Sequence, residues 1–76
     1  MILLTGATGH LGSWIYRYLL ERREKLRVLL LPSERSQAKE MEKDETEIVF
    51  GDLGKPETLP AFFENAQGAK LIHCDW

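Results

Sequence analysis

A single cysteine, Cys74, stands among the 76 residues, so no internal disulfide framework exists and the expected setting is a reducing cytoplasm. Soft metal ligands are equally scarce. His10, His73 and Cys74 form no spaced cluster, which argues against zinc. A basic excess is missing too: Lys plus Arg number 10 against 12 for Asp plus Glu, a net charge of −2. That balance supports neither a nucleic-acid partner nor an anionic membrane surface. The longest strongly apolar run, 28–31, is far too short to span a bilayer. Met1-Ile2-Leu3-Leu4 has neither the positive flank nor the small-residue cleavage site of a secretory leader. Internal repeats and low-complexity linkers are absent. What remains is 43% apolar and 29% charged, the balance of a globular chain. At about 150 residues per domain, residues 1–76 make one small domain or half of an ordinary one.

Short apolar runs alternate with longer amphipathic stretches. Residues 1–5 form an apolar run without alternation, as in a strand buried on both faces. From Leu11 the period changes: Leu11, Ile15, Tyr18 and Leu19 fall on one face of a helix, with Arg22, Arg23 and Lys25 expected in its last turn. Trp14 lies off this stripe, at the edge of the core or on an exposed contact surface. Residues 26–31, apolar apart from Arg27, make a second strand that Pro32 stops. Residues 34–46 are densely charged and read as a solvated helix with only Ala38 and Met41 on an apolar side. Ile48, Val49 and Phe50 form a third strand. Pro56 opens a helical stretch whose regular part is expected from Thr58, leaving Pro60 in the first turn, to Gly68. Residues 69–74 read as a fourth strand. The β-α-β-α-β-α-β order implies an α/β fold with parallel pairing through right-handed crossovers.

The most informative segment is Thr5-Gly6-Ala7-Thr8-Gly9-His10-Leu11-Gly12, between a strand and a helix. Gly6 permits the sharp turn out of the strand. Gly9 has no side chain where a pyrophosphate approaches the backbone, and Gly12 lets the helix pack closely. The helix N-terminus then offers N–H groups and a positive dipole end to phosphate. The candidate cofactor-binding residues of this loop are Gly6, Thr8, Gly9, His10, Leu11 and Gly12.

This pattern, GxxGxxG in the form TGATGxLG, resembles the extended and atypical short-chain dehydrogenases/reductases, namely the NAD-dependent epimerase/dehydratase family and its NmrA-like relatives. Gly51-Asp52-Leu53 followed by Pro56-Glu57, and Leu71-Ile72-His73-Cys74, match further along, so the resemblance covers the whole chain. It implies the N-terminal half of a Rossmann fold: a four-stranded parallel sheet in the order 3-2-1-4 with about three helices, two on one face and the third on part of the other. It implies NAD or NADP as cofactor, with Asp52 and Leu53 at the adenine. Preference between the two stays open. Leu31 before Pro32 grips neither a 2′-phosphate nor a ribose hydroxyl, and Arg35 is either a 2′-phosphate ligand or a surface arginine. Lys55 replaces the capping Asp or Thr of relatives, which weakens that helix start. Trp76 either covers the cofactor path or is a foreign tail.

The family's catalytic Ser/Thr and Tyr-x-x-x-Lys lie beyond the fourth strand. Tyr16 and Tyr18 are on the first helix and neither begins that motif, so no catalytic residue is assigned. His73 is expected as a hydrogen-bonded core histidine and Cys74 as a buried, inert thiol. The reading is the dinucleotide-binding portion of a reductase or epimerase; the alternative is a non-enzymatic nucleotide-sensing or interaction module. The open fourth strand, 69–74, suggests self-association or a partner chain.

Overall fold

The structure is a computed structural model that describes residues 1–74. The expectation about Trp76 therefore lies outside the described residues. Four parallel strands form one sheet in the order β3-β2-β1-β4: β1 (Ile2–Thr5), β2 (Leu26–Leu30), β3 (Glu47–Phe50) and β4 (Lys70–His73). The helices are α1 (His10–Glu21), α2 (Arg35–Glu42) and α3 (Pro60–Phe63), with 3-10 turns at Pro32–Glu34 and Pro56–Thr58. The strand order and helix count are those the sequence implies.

Strands β1 and β2 are buried along their whole length, so their apolar runs serve two cores at once. Ile2, Leu4, Val28 and Leu30 face α1 and α2, where Tyr16, Leu19, Ala38 and Met41 meet them. Leu3 and Leu29 face the other way, against Phe62. Arg27 also serves that second face. It is only 6% exposed. Its Nη1 donates to the carbonyls of Phe62 at 2.9 Å and Glu64 at 2.6 Å, at the end of α3. Its Nε lies 2.7 Å from Glu47 Oε2, close enough for an ion pair though not aligned as a hydrogen bond. A charge inside an apolar run thus fastens α3 to the sheet.

Several expectations need correction. The apolar face of α1 is Gly12, Tyr16 and Leu19, whereas Leu11 and Tyr18 are 44% and 57% exposed. Helix α1 packs on the sheet through Tyr16 and Leu19, with Gly12 against the loop backbone at Gly6 and Ala7, which turns Leu11 and Tyr18 outward. Trp14 is exposed at 70%. The basic residues lie past the helix rather than in its last turn: Arg22 is the C-cap, and Arg23 takes φ 59°. Glu24 N donates to Leu19 O and Arg23 N to Leu20 O, closing a Schellman motif. The charged helix ends the same way at Glu42, four residues early. Thr46 N reaches Met41 O, Glu45 N reaches Glu42 O, and Glu45 takes φ 61°. Thr46 itself is buried. Its Oγ1 lies 2.8 Å from Tyr16 Oη, which donates to Asp44 Oδ2 at 3.0 Å. Burial pushes the Tyr16 hydroxyl up to about 12. The third helix is the largest discrepancy. Pro60 starts it, and its ring tolerates no earlier helical turn beneath it. Glu64 is already extended, so only Pro60–Phe63 is α-helical. Gly68, at φ 78°, serves the turn into β4 instead.

Candidate functional site

The glycine loop leaves β1 at Thr5 and enters α1 at His10. Gly6 takes φ 75°, and a Cβ there would lie 2.0 Å from the Cys74 carbonyl oxygen. A Cβ on Gly12 would lie 1.7 Å from the Gly6 carbonyl oxygen. These two glycines press the loop between the end of β4 and the first turn of α1. Gly9 is the N-cap, and no side chain caps the helix. The first-turn N–H groups of Leu11 and Gly12 are therefore left for an outside acceptor, at the positive end of a 12-residue helix.

A cavity of about 290 Å³ opens where the loop meets the carboxyl ends of the strands. Gly6 and Thr8 from the loop, Leu31 and Glu34 from beyond β2, and Asp52 and Leu53 from beyond β3 line it. Open parallel sheets bind ligands at this place, where the strand order reverses between β1 and β4. A larger cavity of about 760 Å³ lies in the cleft between α1 and α2, where Arg17, Glu21, Glu40 and Lys43 give it mixed charge. Only the smaller cavity joins the glycine loop to Asp52, so it is the candidate site. Gly9, His10, Leu11 and Gly12 do not line the cavity.

Asp52 is held by its own turn. Its Oδ1 accepts from Gly54 N at 2.8 Å, and its backbone N–H donates to Thr58 Oγ1 at 2.8 Å. The Thr58 hydroxyl proton faces the carbonyls of Lys55 and Asp52. Thr58 does the bracing that Lys55, the uncapped start of the 3-10 turn, cannot do.

Glu34 is the residue that sequence reading missed. Its Oε1 accepts from Leu31 N at 2.8 Å, and its Oε2 accepts from the Thr8 hydroxyl. One carboxylate thus ties the turn after β2 to the glycine loop. Its spacing was the available signal: an acidic residue about 20 positions past the glycine motif marks the ribose site of dinucleotide domains. Arg35, beside it, does not line the cavity. Its guanidinium stacks 5.4 Å from the centre of the Phe50 ring.

His73 is hydrogen-bonded, as expected, but it is not in the core. It is exposed, lines the cavity, and its Nδ1 lies 2.6 Å from Thr5 Oγ1. Free edge strands bury one side only, which is why a strand histidine stays outside. Cys74 is buried, and burial raises its thiol above the ordinary range, as befits an inert group. Among the described residues no group of three or more His, Cys, Asp or Glu is placed to hold a metal ion. No helix among them is long and apolar enough to cross a membrane.

Residues 2–75 match the model of the NAD dependent epimerase/dehydratase family. The chain is 35% identical over 81 residues to the uncharacterized protein y4nL of Sinorhizobium fredii, an alignment covering 96% of this chain and 23% of that protein. It is 39% identical over 61 residues to an NAD(P)H azoreductase of Xenophilus azovorans, covering 80% of this chain and 21% of that protein. The chain thus spans less than a quarter of the length of these relatives. No solved structure matches it significantly.

Proposed function

The chain belongs to the NAD dependent epimerase/dehydratase family, and from that premise we propose that it binds the adenosine and diphosphate portions of NAD at the ends of its four strands. The observation that carries this reading is the single cavity shared by the glycine loop, Glu34 and Asp52. The diphosphate lies against the loop 6–12, where Gly9 offers no side chain and α1 offers N–H groups. Asp52 and Leu53 sit on the adenine side. Bound NAD supplies hydride transfer. The chain's part is to bind and orient it, and the proton-transfer residues of a complete reductase or epimerase belong to sequence outside these 76 residues.

Glu34 sets the preference for NAD over NADP. Its carboxylate is anchored by Leu31 N and Thr8, faces the cavity, and accepts from a ribose hydroxyl while repelling a 2′-phosphate. The parent chain is expected to bind NAD about tenfold tighter than NADP, and Glu34→Gln to narrow that ratio to near one. Calorimetric titration of both proteins with both dinucleotides measures it. Equal affinities in the parent, or an unchanged ratio in the variant, would remove Glu34 from this role.

The sheet edge supports a second role, self-association. Lys70 N donates to Met1 O and Cys74 N to Thr5 O. By alternation, the backbone groups of Leu71 and His73 point away from β1, and Leu71 is 54% exposed. Light scattering at rising concentration is expected to show dimers or larger species. A monomer throughout the range would contradict pairing along residues 69–74.

A further inference from the structure

Four observations converge on His73. It is exposed at the rim of the cavity that holds the glycine loop. Its Nδ1 is 2.6 Å from the hydroxyl of buried Thr5, the residue directly before Gly6. Cys74, the next residue, bonds through its N–H to Thr5 O at 3.1 Å. The Cys74 carbonyl oxygen stands where a Cβ on Gly6 would be, 2.0 Å away. The end of β4 and the start of the phosphate loop are thus locked together, and an imidazole sits on the lock.

We infer that His73 is a proton-dependent ligand-binding residue: its imidazolium form strengthens the binding of a diphosphate at the glycine loop. The inference rests on the dinucleotide reading above and extends it. Histidine is the side chain that ordinarily changes charge between pH 5 and 8. With Nδ1 occupied by Thr5, a proton taken up by the ring adds a full positive charge beside a ligand carrying two negative ones. Neutral His73 can accept from the Thr5 hydroxyl; the imidazolium must donate to it, so the bond persists in both forms with its direction reversed.

None of the other groups lining this cavity mimics the effect, and His10, the second imidazole, stands at the start of α1 off the cavity wall. Glu34 from beyond β2 and Asp52 from beyond β3 are carboxylates, which supply no positive charge to a diphosphate. The Cys74 thiol, on β4's own extension, is buried and held neutral. Strand β1 presents Thr5, and α3 presents Phe62 and Phe63, none of which titrates here.

The test is the affinity for NAD and for adenosine between pH 6 and 8.5, for the parent and His73→Gln, with amide spectra confirming the fold. NAD is expected to bind about fivefold tighter at the acid end to the parent. Adenosine, which has no phosphate, and the variant should show no such slope. Calorimetry near pH 7, in two buffers of different ionisation enthalpy, should reveal proton uptake on binding NAD but not adenosine in the parent, and none on binding NAD in His73→Gln or His73→Asn. An equal slope in His73→Gln, or no proton uptake in the parent, overturns the inference while leaving dinucleotide binding intact. Failure of NAD to bind at any pH overturns the dinucleotide reading and this inference with it.

Discussion

Alanine at position 12 is expected to cost the fold about 3 kcal/mol or more, because overpacking against rigid backbone leaves nowhere for the methyl group to go. The Gly12 Cβ would lie 1.7 Å from a backbone carbonyl oxygen, not from the movable end of a side chain. Helix α1 must retreat from the loop, and Tyr16 and Leu19 on the same helix face must follow. For a chain of this size a loss of that order lowers the melting temperature by about 12 °C or more. Gly54→Ala is the control, since its Cβ would meet only Asp52 Oδ1, at 3.3 Å. Thermal melts of the two variants decide it. A Gly12→Ala protein melting like the Gly54→Ala control would mean that α1 does not sit against the loop as described.

Arg27→Met is expected to be nearly as damaging, at about 3 kcal/mol, through a different cause. The apolar stem is largely replaced, but the carbonyls of Phe62 and Glu64 lose the guanidinium that satisfies them. An unsatisfied buried acceptor costs about 1–3 kcal/mol. Helix α3 has only four residues and little else to hold its end. Glu47→Gln should cost far less, about 0–1 kcal/mol, because the Glu47 side chain is half exposed. Urea midpoints measure both. If Arg27→Met and Glu47→Gln fell by similar small amounts, the carbonyl bonds would not be what fastens α3.

These two residues mark where sequence reading succeeded and where it stopped. The apolar runs of β1 and, Arg27 apart, of β2 made the parallel strands legible, the glycine spacing marked the loop, and the family resemblance carried by these motifs implied the strand order. Those signals are local and chemically specific. The ends of α1 and α2 were not legible, because the residues in the left-handed position of each Schellman motif are Arg23 and Glu45 rather than glycine. The outward turn of Leu11 and Tyr18 was hidden for another reason: helical spacing identifies an apolar stripe but not which of two overlapping stripes a sheet will take. Pro60 was read as part of a longer helix because nothing in the sequence says that Arg27, 35 residues away from Phe62, closes α3 by bonding its last carbonyls. In the site, Asp52 was legible from its motif. Glu34 left only its spacing past the glycine motif as a signal and the exposure of His73 left none, since tertiary contacts with Thr8 and Thr5 hold them in place.

The central claim is that a dinucleotide binds where the glycine loop meets the strand ends. A two-dimensional amide NMR titration of this chain with NAD tests it most directly. The expected result is a dispersed spectrum whose shifts concentrate at residues 6–12, at Leu31 and Glu34, and at Asp52, leaving the α1/α2 cleft around Arg17 and Lys43 unmoved. A dispersed spectrum that NAD leaves unchanged, or shifts centred on that cleft, would contradict it.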